Sequence, residues 1–224
     1  MSLLRKIPTI LRAGGGSVPE WRQHLQPCEY LETDGNCYIY TGLGGKNYEN
    51  FELKFSVANG NSGNSIVFGS RLNINNNYII YPSIDYDEFR IWYNYEQKSF
   101  SIDLKNNKDF IIKAEKNIFK IYDFNNNLLQ TISFSNNSFS FGTQLLLFGA
   151  QLPSVSPAQI GTRIYSNTIE NLRNYIAAYI IDEYVDNKGT LCSSGVAGMV
   201  DTLTGIFYTN DGTGQFSHGA DINI

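Results

Sequence analysis

The chain has 224 residues, a formal net charge of -4 and a pI near 5.2, a balance that argues against nucleic acid as its main partner. Aromatic residues make up 14% of the chain and charged residues only 17%, which favours short strands separated by polar turns. No segment has the length of a transmembrane helix, so membrane insertion is not expected. Pro8 interrupts the N-terminal apolar stretch that a signal peptide would need.

Residues 1–27 differ in composition from the rest and are predicted to form an N-terminal arm with a Gly-rich linker, followed by one domain at 28–224. The stretch Ala13–Ser17 is typical of a flexible joint. One interpretation of the arm is a disordered tail or a cloning remnant. The other, which we favour, is a docking arm whose apolar residues become buried against a partner. The residues expected to anchor it are Leu3, Leu4, Arg5, Lys6, Ile7, Ile10, Leu11 and Arg12.

From residue 29 onward the pattern predicts about a dozen short strands with regular turn signals, which is typical of a sandwich or barrel. Asn125–Asn127 is predicted to form a hairpin turn, because Asn tolerates the left-handed backbone of such turns. The best helical candidate is short, Ile169–Tyr175. The predicted strands are Tyr38–Tyr40, Phe51–Val57, Ser65–Gly69, Tyr78–Tyr81, Phe89–Tyr95, Phe110–Lys113, Ile118–Phe124, Leu128–Phe134, Leu145–Phe148, Ile160–Tyr165, Ala177–Ile181 and Gly205–Tyr208.

Four stretches in order carry a resemblance to a known family. Tyr30–Gly42, Phe68–Arg71, Leu147–Gly149 and Gly195–Tyr208, the last followed by Asn210–Phe216, resemble concanavalin A-like, laminin-G-like jelly rolls. The subgroup is common in structural proteins of tailed bacteriophages and in surface proteins of their hosts. The segment at 163–175 departs from the family's pattern.

The resemblance implies an all-β fold, a two-sheet antiparallel jelly-roll sandwich, and it identifies a fold and not an active site. It also implies a virion structural protein, displayed as a head fibre, capsid decoration or tail-associated adhesin and made in the host cytoplasm. The arm would bind other virion proteins of the capsid or tail, the assembly would be a homotrimer or other homo-oligomer, and host-surface glycans are candidate ligands. The alternative is a stand-alone bacterial carbohydrate-binding lectin module.

No catalytic residues are predicted. Asp85 with Asp87, and Asp182-Glu183 with Asp186, are the nearest approach to paired acids, and both groups are interpreted as surface turns. No nucleophile elbow, phosphate-binding loop or zinc spacing is present in the sequence.

No cofactor is expected, and Ca²⁺ is the alternative. Laminin-G-like domains often bind this ion at one rim, and Asp85, Asp87 or Asp211 would supply oxygen ligands.

The segment Phe89–Tyr95 is the candidate glycan-binding strand. Alternation places Arg90, Trp92 and Asn94 on one face, where a ring flanked by polar groups suits a sugar. The alternative is that Trp92 packs inside the sandwich and Arg90 pairs locally.

The three cysteines, Cys28, Cys37 and Cys192, have no metal-ligand spacing, and their odd number fits free thiols in a reducing compartment. Pairing of Cys28 with Cys192 is left open. Near the C-terminus, Asp201 and Thr204 are expected to cap exposed backbone N–H groups of a tight turn.

Overall fold

The computed structural model describes residues 19–57, 65–73, 75–83, 87–104, 109–135, 139–151 and 154–224. Within these ranges the chain forms 21 strands and one 3-10 helix, Glu20–Gln23, and none of the helical residues described is part of a segment able to cross a membrane.

The strands of the N-terminal half are β1 (Leu25–Pro27), β2 (Leu31–Glu32), β3 (Ile39–Lys46), β4 (Asn50–Ser56), β5 (Phe68–Asn73), β6 (Asn76–Ser83), β7 (Glu88–Tyr93), β8 (Glu96–Ser101), β9 (Asp109–Glu115) and β10 (Ile118–Asp123). Those that follow are β11 (Leu128–Ser133), β12 (Ser140–Leu147), β13 (Gly149–Gln151), β14 (Val155–Pro157), β15 (Arg163–Ile169), β16 (Arg173–Ile180), β17 (Glu183–Val185), β18 (Leu191–Ser193), β19 (Ala197–Asp201), β20 (Phe207–Tyr208) and β21 (Ser217–His218).

Two large sheets make up the sandwich. The first has the order β11-β10-β9-β4-β15-β16-β19-β20, with β1 added to β16 and with β2 joining β15 to β21. The second has the order β14-β13-β5-β6-β7-β8, and β12 lies between β5 and β3. The ladders are antiparallel apart from one short parallel contact between β5 and β13. This arrangement is the predicted all-β jelly-roll sandwich.

Alternation along the strands places the core between the sheets. In β7, Phe89, Ile91 and Tyr93 are buried, whereas the residues between them are half-buried. Aromatic rings fill the centre: Tyr93 lies edge-on to Phe119 with ring centroids 5.3 Å apart, and Phe139 lies edge-on to Tyr93 at 4.8 Å. The high aromatic content therefore serves mainly as core.

A smaller apolar cluster lies apart from the main core. Trp21 on the 3-10 helix packs with Leu25, Ile180, Val200 and Phe207. Residues 20–27, assigned to the arm from sequence, are thus part of the folded unit, because Trp21 is buried and β1 pairs with β16. The folded unit includes Pro19 onward, earlier than the boundary at residue 28, whereas residues 1–18 lie outside the described ranges.

Each of the twelve predicted strands overlaps an observed one, but the helix predicted at Ile169–Tyr175 is wrong. The segment is a hairpin: Ile169 ends β15, Glu170 takes a left-handed backbone with φ 49°, and Arg173 begins β16 opposite Ile169. Tyr175 and Ala177 alternate into the core, so sheet pairing and burial decide its structure.

The predicted turns are confirmed. Asn126 has φ 64°, and the Asp123 carboxylate accepts hydrogen bonds from the backbone of Asn125 and Asn127, both at 2.9 Å. In the last hairpin, the carboxylate of Asp201 accepts from the Leu203 N–H at 3.2 Å, and the Thr204 hydroxyl accepts from the Ile206 N–H at 3.3 Å.

All three cysteines are free thiols, so the pairing left open between Cys28 and Cys192 is absent. Burial, with a smaller effect from Asp221, raises the pKa of Cys28 to about 12, and burial raises that of Cys37 to about 11.

Candidate functional site

The candidate glycan-binding residues lie on the outer face of the second sheet, where β6, β7 and the edge strand β8 run side by side. Because Phe89, Ile91 and Tyr93 point into the core, Arg90 and Trp92 point outward, as the alternation predicts. Both are half-buried. Trp92 is therefore not inside the sandwich, where the alternative interpretation placed it, but the local pairing of Arg90 that the same alternative included is present.

Arg90 is held by two neighbours. Its Nε donates to Glu88 Oε2 at 2.7 Å, and its second terminal nitrogen lies 2.6 Å from the same oxygen. Its other terminal nitrogen donates to the Tyr81 hydroxyl at 3.2 Å, across the β6–β7 pair. The guanidinium group is fixed in orientation before any ligand arrives.

The Tyr81 hydroxyl also orients the indole. Trp92 Nε1 donates to it at 3.3 Å, so one phenolic oxygen accepts from both Arg90 and Trp92. The guanidinium of Arg71, on β5, lies 5.6 Å from the centre of the Trp92 ring. These contacts make a connected surface across three strands, which we call the aromatic–basic face: Arg71, Tyr81, Glu88, Arg90 and Trp92.

The open edge of the sheet adds polar groups to this face. On β8, Gln97 is opposite Trp92 and Ser99 is opposite Arg90, and both are exposed. Hydrogen bonding from Ser99 and then the charge and hydrogen bond of Arg90 hold the pKa of Glu88 below its usual value. The Glu88 carboxyl is therefore ionised at neutral pH and keeps Arg90 in place.

Asn94 does not join the predicted row. It follows the end of β7 in the two-residue turn to β8, with φ 56°, and is buried. Its N–H donates to the Asn77 carbonyl at 2.6 Å, and its carbonyl accepts from Asn77 Nδ2 at 3.1 Å. The position requires a residue that tolerates the left-handed region, so Asn94 shapes the turn.

The anchoring residues Leu3, Leu4, Arg5, Lys6, Ile7, Ile10, Leu11 and Arg12 all lie outside the described residues.

Of the three calcium candidates, Asp85 also lies outside the described residues. Asp87 lies in the turn before β7. The carboxylate of Asp211 already has protein partners: its Oδ2 accepts from the Tyr40 N–H at 2.9 Å and its Oδ1 lies 3.1 Å from Lys188 Nζ. In the ranges that the structure covers, no three His, Cys, Asp or Glu residues gather where they could hold a metal ion.

The second acidic group is only partly a surface turn. Asp182 and Glu183 are exposed, but Asp186 is buried. Its carboxylate accepts from the Thr209 hydroxyl at 2.8 Å and from the N–H groups of Lys188 and Thr190 at 2.9 and 2.8 Å. Asp186 therefore holds the turn between β17 and β18 against the body of the domain.

Five residues at or beside the aromatic–basic face were not predicted as site residues from the sequence: Arg71, Tyr81, Glu88, Gln97 and Ser99. A period-two pattern shows which residues of one strand share a face, but not which residues of the neighbouring strand lie opposite. The signal that could have found Tyr81 is the β6–β7 hairpin, once its register places Tyr81 opposite Arg90.

No protein-family profile and no curated protein matches the chain in sequence. Solved structures with some similarity in shape include the following two. Domains LG4-5 of the mouse laminin alpha1 chain match over 87% of this chain and 52% of theirs, with 8% identity and a TM-score of 0.43. A GlcNAcα1-4Gal-releasing endo-β-galactosidase from Clostridium perfringens matches over 80% of this chain and 62% of its own, with 13% identity and a TM-score of 0.31.

The chain thus spans about half and about three fifths of those two proteins. TM-scores of this size add nothing to the description of the fold, which rests on the strand pairing above, and they carry no information on activity.

Proposed function

We propose that the chain is a non-catalytic carbohydrate-binding module whose ligand lies on the aromatic–basic face. The observation that carries the proposal is the half-exposed ring of Trp92, with the Arg71 guanidinium beside it and Gln97 on the open edge strand. An aromatic ring offers a flat apolar surface to sugar C–H groups, and the neighbouring polar side chains bond to sugar hydroxyls.

The hydrogen-bond network of Tyr81, Glu88, Arg90 and Trp92 favours binding because it is already formed without a ligand. Tyr81 and Glu88 fix the two side chains, so little rotamer freedom is lost when a ligand arrives.

The same network argues against hydrolysis at this face. Glycoside hydrolysis uses two carboxyl groups roughly 5–9.5 Å apart. Glu88 is paired with Arg90 and its pKa is lowered, which is the opposite of what a general acid needs.

The proposal is tested by applying the purified chain to a glycan array and then titrating the sugars that bind. We expect Trp92→Ala to abolish binding and Trp92→Phe to retain part of it, because the phenyl ring keeps the stacking surface but loses the N–H. Tyr122→Ala is the matched control, a half-buried aromatic on β10 of the other sheet, next to Lys113. Equal binding by Trp92→Ala and the control would show that the face is not the site.

Binding should also depend on pH in a definite direction. A carboxyl whose pKa is lowered in the folded state stays ionised down to that lowered value, and its pairing is lost as the pH falls through it. Glu88 would then release Arg90, so we expect affinity to decline only at acidic pH, below the usual range of a Glu pKa. Glu88→Gln should remove this decline, and an unchanged pH profile in that variant would argue against the pairing as the cause.

We further propose, from the sequence resemblance alone, that the module is displayed on a bacteriophage particle as a head fibre, decoration or tail-associated adhesin. Residues 3–12 would anchor it to a capsid or tail protein, and several copies in a homotrimer would add avidity.

Deleting residues 1–12 should then abolish incorporation into particles while glycan binding is kept. Portal, capsid or tail genes beside its reading frame would support this placement. Unchanged incorporation after the deletion would overturn the anchoring role.

A further inference from the structure

A concave surface lies away from the aromatic–basic face, on the outer side of the first sheet. It is a cleft of about 810 Å³ between the 3-10 helix, the β17–β18 hairpin and the turn that joins β19 to β20. The Tyr184 hydroxyl donates to the Gly205 carbonyl at 2.8 Å and ties the hairpin to the turn. We call this surface the hairpin cleft.

Aliphatic side chains line the hairpin cleft and remain open to solvent. Val185 is 47% exposed, Leu191 62% and Ile206 38%. Single exposed apolar residues are ordinary, but three around one concavity make a patch that a partner can cover.

Acidic groups stand around the same cleft. Glu20, Asp182 and Glu183 line it and are exposed. His24 lies 2.9 Å from Asp182 and lowers the pKa of that carboxyl, so Asp182 is ionised at neutral pH. The hairpin cleft is therefore apolar within and negative at its rim.

We propose that the hairpin cleft binds the segment Leu3–Arg12 of the same chain. That segment is its chemical complement, with five apolar residues and three basic ones, Arg5, Lys6 and Arg12. Opposite charge steers the two together and sets the register, while apolar contact supplies most of the affinity.

Chain connectivity supports this occupant over any other. Glu20 both lines the cleft and stands two residues after the last residue outside the described ranges, so the chain enters the domain at the rim. Eight residue steps separate Arg12 from Glu20, and these span at most about 26–29 Å when extended. The segment is therefore held at a high local concentration beside the cleft.

Occupation of the hairpin cleft does not depend on glycan binding. It does affect the proposed anchoring role of residues 3–12, because residues bound in the hairpin cleft cannot bind another protein at the same time. A partner that takes up the arm has to compete with the cleft.

Trypsin cleavage after Arg12 in the full chain tests the proposal, because the protease cuts the released segment. We expect Leu191→Asp and Glu183→Lys each to speed this cleavage about tenfold, the equivalent of about 1.4 kcal/mol. Leu128→Asp and Glu115→Lys are the matched controls on the first sheet, at similarly exposed positions outside the cleft lining, and should leave the rate unchanged.

Equal rates in cleft and control variants overturn the proposal. So does protection that rises with protein concentration, which would mean that the arm of another copy is bound. If Leu191→Asp does not fold, methyl NMR of the full chain replaces it. Reversing the charges of the arm (Arg5→Glu, Lys6→Glu and Arg12→Glu together) should then shift the signals of Val185 and Ile206, and unshifted signals reject the contact.

Discussion

Replacing Asp201 with Ala should destabilise the domain much more than the loss of a solvent-exposed carboxylate would. The side chain is fully buried at the end of β19. Its carboxylate accepts from the Asn174 N–H at 2.9 Å, the Leu203 N–H at 3.2 Å and the Thr204 hydroxyl at 2.7 Å. It thus joins two hairpins, β15–β16 and β19–β20.

The expected loss follows from the groups left behind. Each buried donor that loses its partner costs about 1–3 kcal/mol, and removing one member of a buried charged pair costs about 3–5 kcal/mol. Arg173 Nε lies 3.9 Å from the carboxylate, with its side chain 22% exposed, so water replaces only part of what it loses. We expect Asp201→Ala to lower the free energy of unfolding by about 3–5 kcal/mol, and Asp201→Asn by about 1–3 kcal/mol because the amide oxygen still accepts.

Urea unfolding followed by tryptophan fluorescence measures this change, because Trp21 packs against Gly205, which lies in the β19–β20 turn that Asp201 holds. Asp123→Ala is the control: that carboxylate caps a turn with a similar number of bonds but is open to water, so its loss should be much smaller. A loss below about 1 kcal/mol for Asp201→Ala, or one no larger than the control's, would refute the reasoning.

Two further outcomes are expected. Gly69→Ala should lower the unfolding free energy by about 1–3 kcal/mol, seen as a lower Tm, because the added Cβ would lie 2.6 Å from the Tyr78 carbonyl oxygen; Gly142→Ala, with nothing within 4 Å, should not. Cys192, which is half-buried, should react with a thiol reagent at pH 8 much faster than Cys28, whose pKa is about 12; similar rates for the two would contradict the burial of Cys28.

The sequence was enough to predict the fold class and most of the strands. Period-two alternation is a local property, so Phe89, Ile91 and Tyr93 could be assigned to the core without knowledge of their neighbours. Turn chemistry is local too, and the turns at Asn126 and Asp201 were predictable for that reason.

The expectations that were wrong depended on contacts between residues distant along the chain. The Ile169–Tyr175 segment is a hairpin because β4 and β19 pair with its two arms. The helix and strand at residues 20–27 belong to the domain because Trp21 and Leu25 find buried partners such as Ile180 on β16, far away in sequence. Which distant strand a segment will pair with cannot be read from the segment itself.

The candidate site also combines features that local sequence predicts with features that depend on distant contacts. Alternation alone placed Arg90 and Trp92 together on one face of β7, and it did so without any structure. Only the tertiary structure decided that this face is the outer one, that Tyr81 and Glu88 lock the two side chains, and that Asn94 leaves the row to form a turn. The physical reason is that register and layer order depend on which strands pair, a property of the whole chain that no single segment encodes.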